Sequence, residues 1–325
     1  MCKFALKYLL RLLFDFVIIA VLLVLSLKTY LFLGAPTRRG FFCGDESLMY
    51  PFHEDTINSH MLQILSFGIP LLVIVVCGLL ENLALQKRSV GTHLRTLLTI
   101  HDSLLPFLFG YAAVRLIKDV GKVTVGRLRP YFFEVCHPVH EDVPICDDDR
   151  NYGIYIEEYE CVGSMGDTEG AVHTSIVENI MRSSFPSGHA ALAFFGMSFT
   201  VFYLQRFSSI LRRSCANVGL VMPLLQFVCI LVAWFVATSR VLDYKHHWSD
   251  VVAGGFLGLG VGIAVAYYVH GHLKGSGTFL EVVDTPKVSI TRHNNRGISE
   301  RSSVYASTSS SNAQNNSVTK QISKA

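Results

Sequence analysis

The chain has 325 residues, of which 50% are hydrophobic and 16% charged, with a mean hydropathy of +0.39. That composition excludes an ordinary soluble domain and indicates a multispanning membrane protein. The formal net charge of +3 is small, the basic residues are dispersed, and no RNA- or DNA-binding motif is present, so nucleic acid is not an expected partner.

A helix needs about 20 apolar residues to cross a bilayer. Six segments meet or approach that length: Leu9–Leu33, Met61–Leu83, Leu104–Val120, His189–Leu204, Val218–Thr238 and Val251–Val269. The expected fold is all-α, a six-transmembrane-helix bundle over residues 1–275, followed by a disordered tail over 276–325. The tail is rich in Ser, Asn, Thr and Gln and has little to bury. The first run follows Lys3, Lys7 and Arg11 without a small-residue cleavage site, so it is expected to stay as a signal anchor.

Lys and Arg set the expected orientation. Lys3, Lys7 and Arg11, then Lys87, Arg88 and Arg95, then Arg206, Arg212 and Arg213, and finally Lys274 fall on one side of a six-span chain. That side is expected to be cytoplasmic, with both termini on it and the first, third and fifth connections outside or lumenal. Arg38 and Arg39 run against the rule. Cys43, Cys136, Cys146 and Cys161 all fall in outward connections, where disulfides persist. Sequence leaves their pairing open. Cys77 and Cys229 lie within spans and are expected to be apolar packing residues. Asn315-Asn316-Ser317 matches a glycosylation sequon on the cytoplasmic side, where it would go unused.

Three outward segments hold the unusual residues. The first runs from Lys122 through Arg127 to Arg129-Pro130, three cations within eight residues on the side that the charge rule leaves poor in cations. Cations held there call for an anion, and an Arg fork suits phosphate oxygens. The second is Pro186-Ser187-Gly188-His189 at the start of the fourth span. Ser fits a helix cap, Gly lets backbone approach a ligand, and free N–H groups at a helix start bind anions. The third is Ser239-Arg-Val-Leu-Asp-Tyr-Lys-His-His-Trp-Ser-Asp250, which packs two histidines, two cations and two carboxylates between apolar runs. Such density at a membrane is costly unless it serves a function. If the sixth helix begins near His246, then His246 and Asp250 share a face. The carboxylate would fix the ring tautomer and leave the other nitrogen free to attack. Arg240 is close enough to hold an oxyanion, and His247 points elsewhere. A zinc site is the rival reading, but adjacent histidines and the lack of His-Glu-x-x-His argue against it.

These segments together resemble the signature of the lipid phosphate phosphatases, in the type 2 phosphatidic acid phosphatase superfamily. That signature is Lys-x6-Arg-Pro, Pro-Ser-Gly-His and Ser-Arg-x5-His-x3-Asp, and every position is filled here. Phe41-Phe42-Cys43-Gly-Asp-Glu-Ser47 also looks like the family's first outward loop. The resemblance implies an enzyme that dephosphorylates phosphatidate, lysophosphatidate, sphingosine 1-phosphate or ceramide 1-phosphate. His246 would be the nucleophile, Asp250 its partner and His189 the acid for the leaving group. Lys122, Arg129, Arg240, Ser187 and the Gly188 backbone would bind phosphoryl oxygens. No metal or cofactor is implied.

The partners expected are a lipid phosphate and the bilayer, with the plasma membrane as the default location. A non-catalytic scaffold or lipid binder of the same fold is one alternative, and a phosphatase for soluble esters another. Gly254, Gly258 and Gly262 recur every four residues, a pattern that lets helices approach closely. Packing within the bundle is the first expectation for this stripe, and a homo-oligomer face the second.

Overall fold

The computed structural model describes residues 2–84, 92–163, 171–214 and 219–284. From the N-terminus come α1 (Cys2–Leu27), the short α2 (Thr29–Leu33) and β1 (Phe41–Phe42). Next, α3 (Ser59–Gln63) continues through a π-helical turn at Ile64–Gly68 into α4 (Ile69–Ala84), and α5 spans Thr92–Val125. Between the bundle helices lie α6 (Phe132–Cys136), β2 (Pro138–His140), β3 (Val143–Pro144), β4 (Tyr155–Ile156), β5 (Glu160–Cys161) and α7 (Ala171–Met181). The chain then runs through α8 (Gly188–Ser214), α9 (Val221–Leu242) and α10 (Trp248–Asp284).

Among the described residues, five stretches are long and apolar enough to cross a membrane: Ser59–Glu81, Thr96–Val125, Gly188–Arg212, Val221–Leu242 and Trp248–Gly271. A shorter apolar stretch of α1, Leu12–Leu27, packs on α5 and completes an all-α membrane bundle. Helix ends extend beyond the apolar runs. The third span, expected at 104–120, is a helix from Thr92 to Val125. Hydropathy falls at its polar ends, but a helix needs only its backbone ladder, and polar side chains find local partners. Ser103 Oγ, for instance, donates to the Thr99 carbonyl at 2.8 Å. Likewise α10 continues as helix past residue 275 to Asp284. The rest of the tail, with its sequon, lies outside the described residues.

α8 is the central helix. Within the bundle 72% of its apolar window is buried, against 28–39% for the other four. Small residues make this possible: Ala190, Ala191 and Ala193 are fully buried. The glycine stripe of α10 lies directly on α8. A Cβ added at Gly254 would sit 2.3 Å from the Ser187 carbonyl oxygen, and one at Gly258 2.0 Å from that of Ala191. At Gly262 it would sit 2.0 Å from Ser198 Oγ. The stripe is therefore taken up within the chain and is not a free oligomer face.

A small lobe sits over the ends of these helices. β1 pairs with β4, and β2 pairs with both β3 and β5, all antiparallel. Two disulfides close it, Cys43–Cys146 and Cys136–Cys161, which settles the pairing that sequence left open. Cys77 and Cys229 are free and buried. Phe41, Phe132 and Tyr159 form the lobe's aromatic core, with ring centroids 5.1–5.6 Å apart. Arg38 donates to the Tyr159 carbonyl and lies 5.5 Å over that ring, a local partnership that accounts for its departure from the charge rule.

The stripe gives a direct test. Gly258→Ala should destabilise the protein by roughly 1–3 kcal/mol through overpacking. Gly260→Ala, with nothing within 4 Å of the new methyl, should leave the melting temperature unchanged or slightly raised, since Ala is the better helix former. Equal melting temperatures for the two variants would refute this packing.

Candidate active site

The three motif segments meet at neighbouring helix ends. α5 ends just after Lys122, at Gly126, whose φ of +60° is left-handed and whose N–H returns to the Lys122 carbonyl at 3.1 Å. Residues 127–129 then run beside the segment before α8. The Ser184 N–H donates to the Arg127 carbonyl at 3.0 Å, and the Arg129 N–H to that of Met181 at 2.9 Å. The Arg129 guanidinium is steadied by the Ile180 carbonyl at 3.0 Å and the Tyr131 hydroxyl at 3.2 Å.

Ser187 caps α8. Its Oγ accepts from the Ala190 N–H at 3.4 Å, and its carbonyl accepts from Ala191 at 3.1 Å. Its own N–H donates to the Asp250 carbonyl at 3.0 Å, which ties the second motif to the third. Gly188 and His189 occupy the first turn, where backbone N–H groups lack intrahelical acceptors. The His189 ring is hydrogen bonded to the Ile57 backbone, while its Nε2 is buried and has no partner among the described residues. A buried nitrogen left open in this way requires an explanation, and a ligand is one.

His246 is 4% exposed. Its Nδ1 lies 2.7 Å from the Ser184 carbonyl oxygen. A carbonyl only accepts, so Nδ1 carries the proton and Nε2 keeps its lone pair. Burial, followed by the charges of Arg129 and Lys122, holds the ring's pKa well below its ordinary 6.5. The imidazole is thus neutral at pH 7, with Arg129, Lys122 and His189 all within electrostatic reach. His189 in turn feels Arg240, Asp55 and Lys122.

Asp250 departs from the expected geometry. The sixth bundle helix begins at Trp248, after both histidines, so His246 and Asp250 are not one turn apart on a helix. Asp250 sits in the first turn and reaches back to its start. Its Oδ2 accepts from the His247 N–H at 3.1 Å and lies 3.2 Å from His247 Nδ1, the reciprocal half of a capping box. The same carboxylate accepts from Ser184 Oγ at 2.6 Å and from Arg127 at 2.7 Å. Asp250 therefore reaches His246 through Ser184: the hydroxyl of that serine binds the carboxylate, and its carbonyl binds the ring. Sequence reasoning missed Arg127, Ser184 and His247 in these roles. A clue was available for Arg127, a third cation inside the first motif.

Arg240 is 1% exposed. Its Nη1 donates to Asp55 at 2.9 Å and its Nη2 to Asp243 at 2.6 Å. Asp55 was not assigned a role from sequence, since its link to the arginine emerges only in three dimensions.

The fold and site define a polytopic membrane protein that gathers buried histidines, cations and a helix start at one set of neighbouring helix ends. Residues 103–274 match the family model of the PAP2 superfamily. The chain belongs to that superfamily. It is 39% identical over 252 residues to a Drosophila melanogaster protein provisionally named a phosphatidate phosphatase, a match that covers 74% of this chain and 63% of that protein. It is 34% identical to mouse phospholipid phosphatase 1, over 76% of this chain and 80% of the relative. It is 33% identical to human phospholipid phosphatase 2, over 74% and 76%. No solved structure gives a significant match.

The neutral His246 has a consequence for stability. Between its lowered folded value and about 6.5, the unfolded chain takes up a proton that the folded chain refuses, so stability falls as pH drops through that window. His246→Asn removes the titration. The melting temperature of wild type minus that of the variant should decrease from about pH 7.5 to about pH 5.5. A pH-independent difference would show that the ring is not held neutral.

Proposed function

We propose that the protein is an integral-membrane lipid phosphate phosphatase that cleaves phosphate monoesters such as phosphatidate, lysophosphatidate, sphingosine 1-phosphate or ceramide 1-phosphate. The observation that carries this reading is the state of His246: a buried, neutral ring whose Nδ1–H is committed to a carbonyl, facing the charges of Arg129 and Lys122. Its relatives' names support lipid as the substrate class.

The reaction has two steps. In the first, the His246 Nε2 lone pair attacks phosphorus, and the bond from phosphorus to the lipid oxygen breaks. His189 gives its proton to the leaving alkoxide as the phosphohistidine forms. In the second, water attacks phosphorus, its proton passes to His189, the P–N bond breaks, and inorganic phosphate leaves with His246 regenerated. Lys122, Arg129, Arg240, Ser187 and the Gly188 N–H hold the phosphoryl oxygens. Such positioned charge is the main source of rate in phosphoryl transfer. No step calls for a metal. Asp250 acts as a positioning residue through Ser184.

Purified protein in detergent, with chelator present, should release phosphate from a panel of these lipids faster than from soluble phosphate esters. His246→Ala should lower turnover by at least about 10³-fold, and His189→Ala by about 10²–10⁴-fold, with unchanged expression. An absolute need for added Mg²⁺, or near-normal activity in either variant, would overturn the mechanism.

The disulfide-bonded lobe and the site share one face, which we place outside the cytoplasm because disulfides persist there. The plasma membrane is the proposed location. A tag after Ala325 should then be labelled in cells only after permeabilisation. Labelling of intact cells would reverse the orientation.

A further inference from the structure

The segment between β1 and α3 reaches into the site. All three guanidinium nitrogens of Arg240 are engaged: Nε donates to Ser239 Oγ at 3.3 Å, Nη1 to Asp55 Oδ1 at 2.9 Å and Nη2 to Asp243 Oδ2 at 2.6 Å. The two carboxylates differ. Asp243 is closed off, since Oδ1 accepts from Thr56 Oγ1 at 2.6 Å and Oδ2 from the Thr56 N–H at 2.9 Å. Asp55 is 39% exposed, and the same oxygen that binds Arg240 lies 4.0 Å from Lys245 Nζ.

Further contacts stitch this segment to the third motif. Lys245 Nζ lies 3.6 Å from the Phe52 ring centroid, and Tyr50 stacks on Tyr244 at 4.6 Å. The Tyr50 N–H donates to the Pro130 carbonyl at 3.1 Å. Two residues beyond Asp55, the Ile57 backbone bonds the ring of His189. Three consecutive residues, 55 to 57, thus touch Arg240, the carboxylate that braces it, and His189.

Building on the phosphatase reading above, we propose that Asp55 is a positioning residue: it fixes the Arg240 guanidinium so that the second N–H of each terminal nitrogen faces the phosphoryl group. An arginine uses its planar fork best when the plane is already set. Two opposing effects must be weighed. Asp55 adds negative charge near an incoming phosphate, but it is partly solvated and beside Lys245, so its repulsion is screened. A misplaced fork, by contrast, costs on the order of 10²-fold for a shift of about 1 Å. Orientation therefore outweighs repulsion.

The experiment compares wild type with Asp55→Asn and Asp55→Glu, using lysophosphatidate as substrate and orthovanadate as a stand-in for the five-coordinate phosphoryl group. Asp55→Asn should lower kcat/KM by about 10–100-fold, mostly in kcat, and weaken vanadate binding by a similar factor. The melting temperature should not change, and Asp55→Glu should recover part of both losses. Vanadate binding by Asp55→Asn that is equal to wild type, or tighter because a competing carboxylate has gone, overturns the proposal. If wild type hydrolyses no lipid phosphate, the functional reading fails instead. Vanadate affinity, measured by calorimetry on wild type and variant, still decides the role of Asp55.

Discussion

A fully buried carboxylate is expensive unless each of its lone pairs is used. Asp250 is 0% exposed and resolves that cost by drawing in Arg127 and Ser184 from two distant stretches, together with its own neighbour His247. The rest of the site depends on this arrangement. Arg127 brings the end of α5 inward, and with it Lys122 and Arg129. Ser184 brings the approach to α8, and its carbonyl selects the tautomer of His246. The carboxylate is thus a structural organiser whose link to His246 runs through an intermediate serine.

The bundle makes that convergence possible by putting α8 at its centre. A helix enclosed on most sides must present small residues where neighbours cross. Here Ala190, Ala191 and the opposing glycines of α10 bring the backbones almost into contact. Close packing at Gly254 sets the carbonyl of Ser187 against the second turn of α10, beside the point where Ser187 N–H meets the Asp250 carbonyl. Packing in the apolar layer and geometry at the polar end are parts of one contact. The disulfide-bonded lobe plays the corresponding part for Arg129, held by Tyr131 and the carbonyl of Ile180.

Much of this was legible from sequence because membrane solvation and phosphate chemistry both restrict residue choice. Apolar runs marked the helices, and the motif spacings named Lys122, Arg129, Ser187, His189, Arg240 and His246 as candidates. What was hidden falls into two kinds. The start of α10 lies two residues beyond His246, a shift too small for hydropathy to register, and it redirected Asp250 from one histidine to the next. Asp55 and Thr56 were invisible for another reason. Their partners Arg240 and Asp243 lie 185 and 187 residues away, and no local pattern encodes a contact at that separation. The disulfide pairing was closed to sequence on combinatorial grounds alone.

The Cys43–Cys146 bond joins residues 103 positions apart, and the intervening chain includes α3, α4 and α5. In covalent terms the protein is therefore not a thread but a loop with two ends. A single backbone cut between those cysteines opens the loop without separating it, and the fragments part only on reduction. The segment that carries Asp55, the helix that delivers Lys122 and the motif residues 127–129 all lie inside this ring. The first motif of the candidate site, together with Asp55, is thus chemically insured against a break that would divide an ordinary polypeptide.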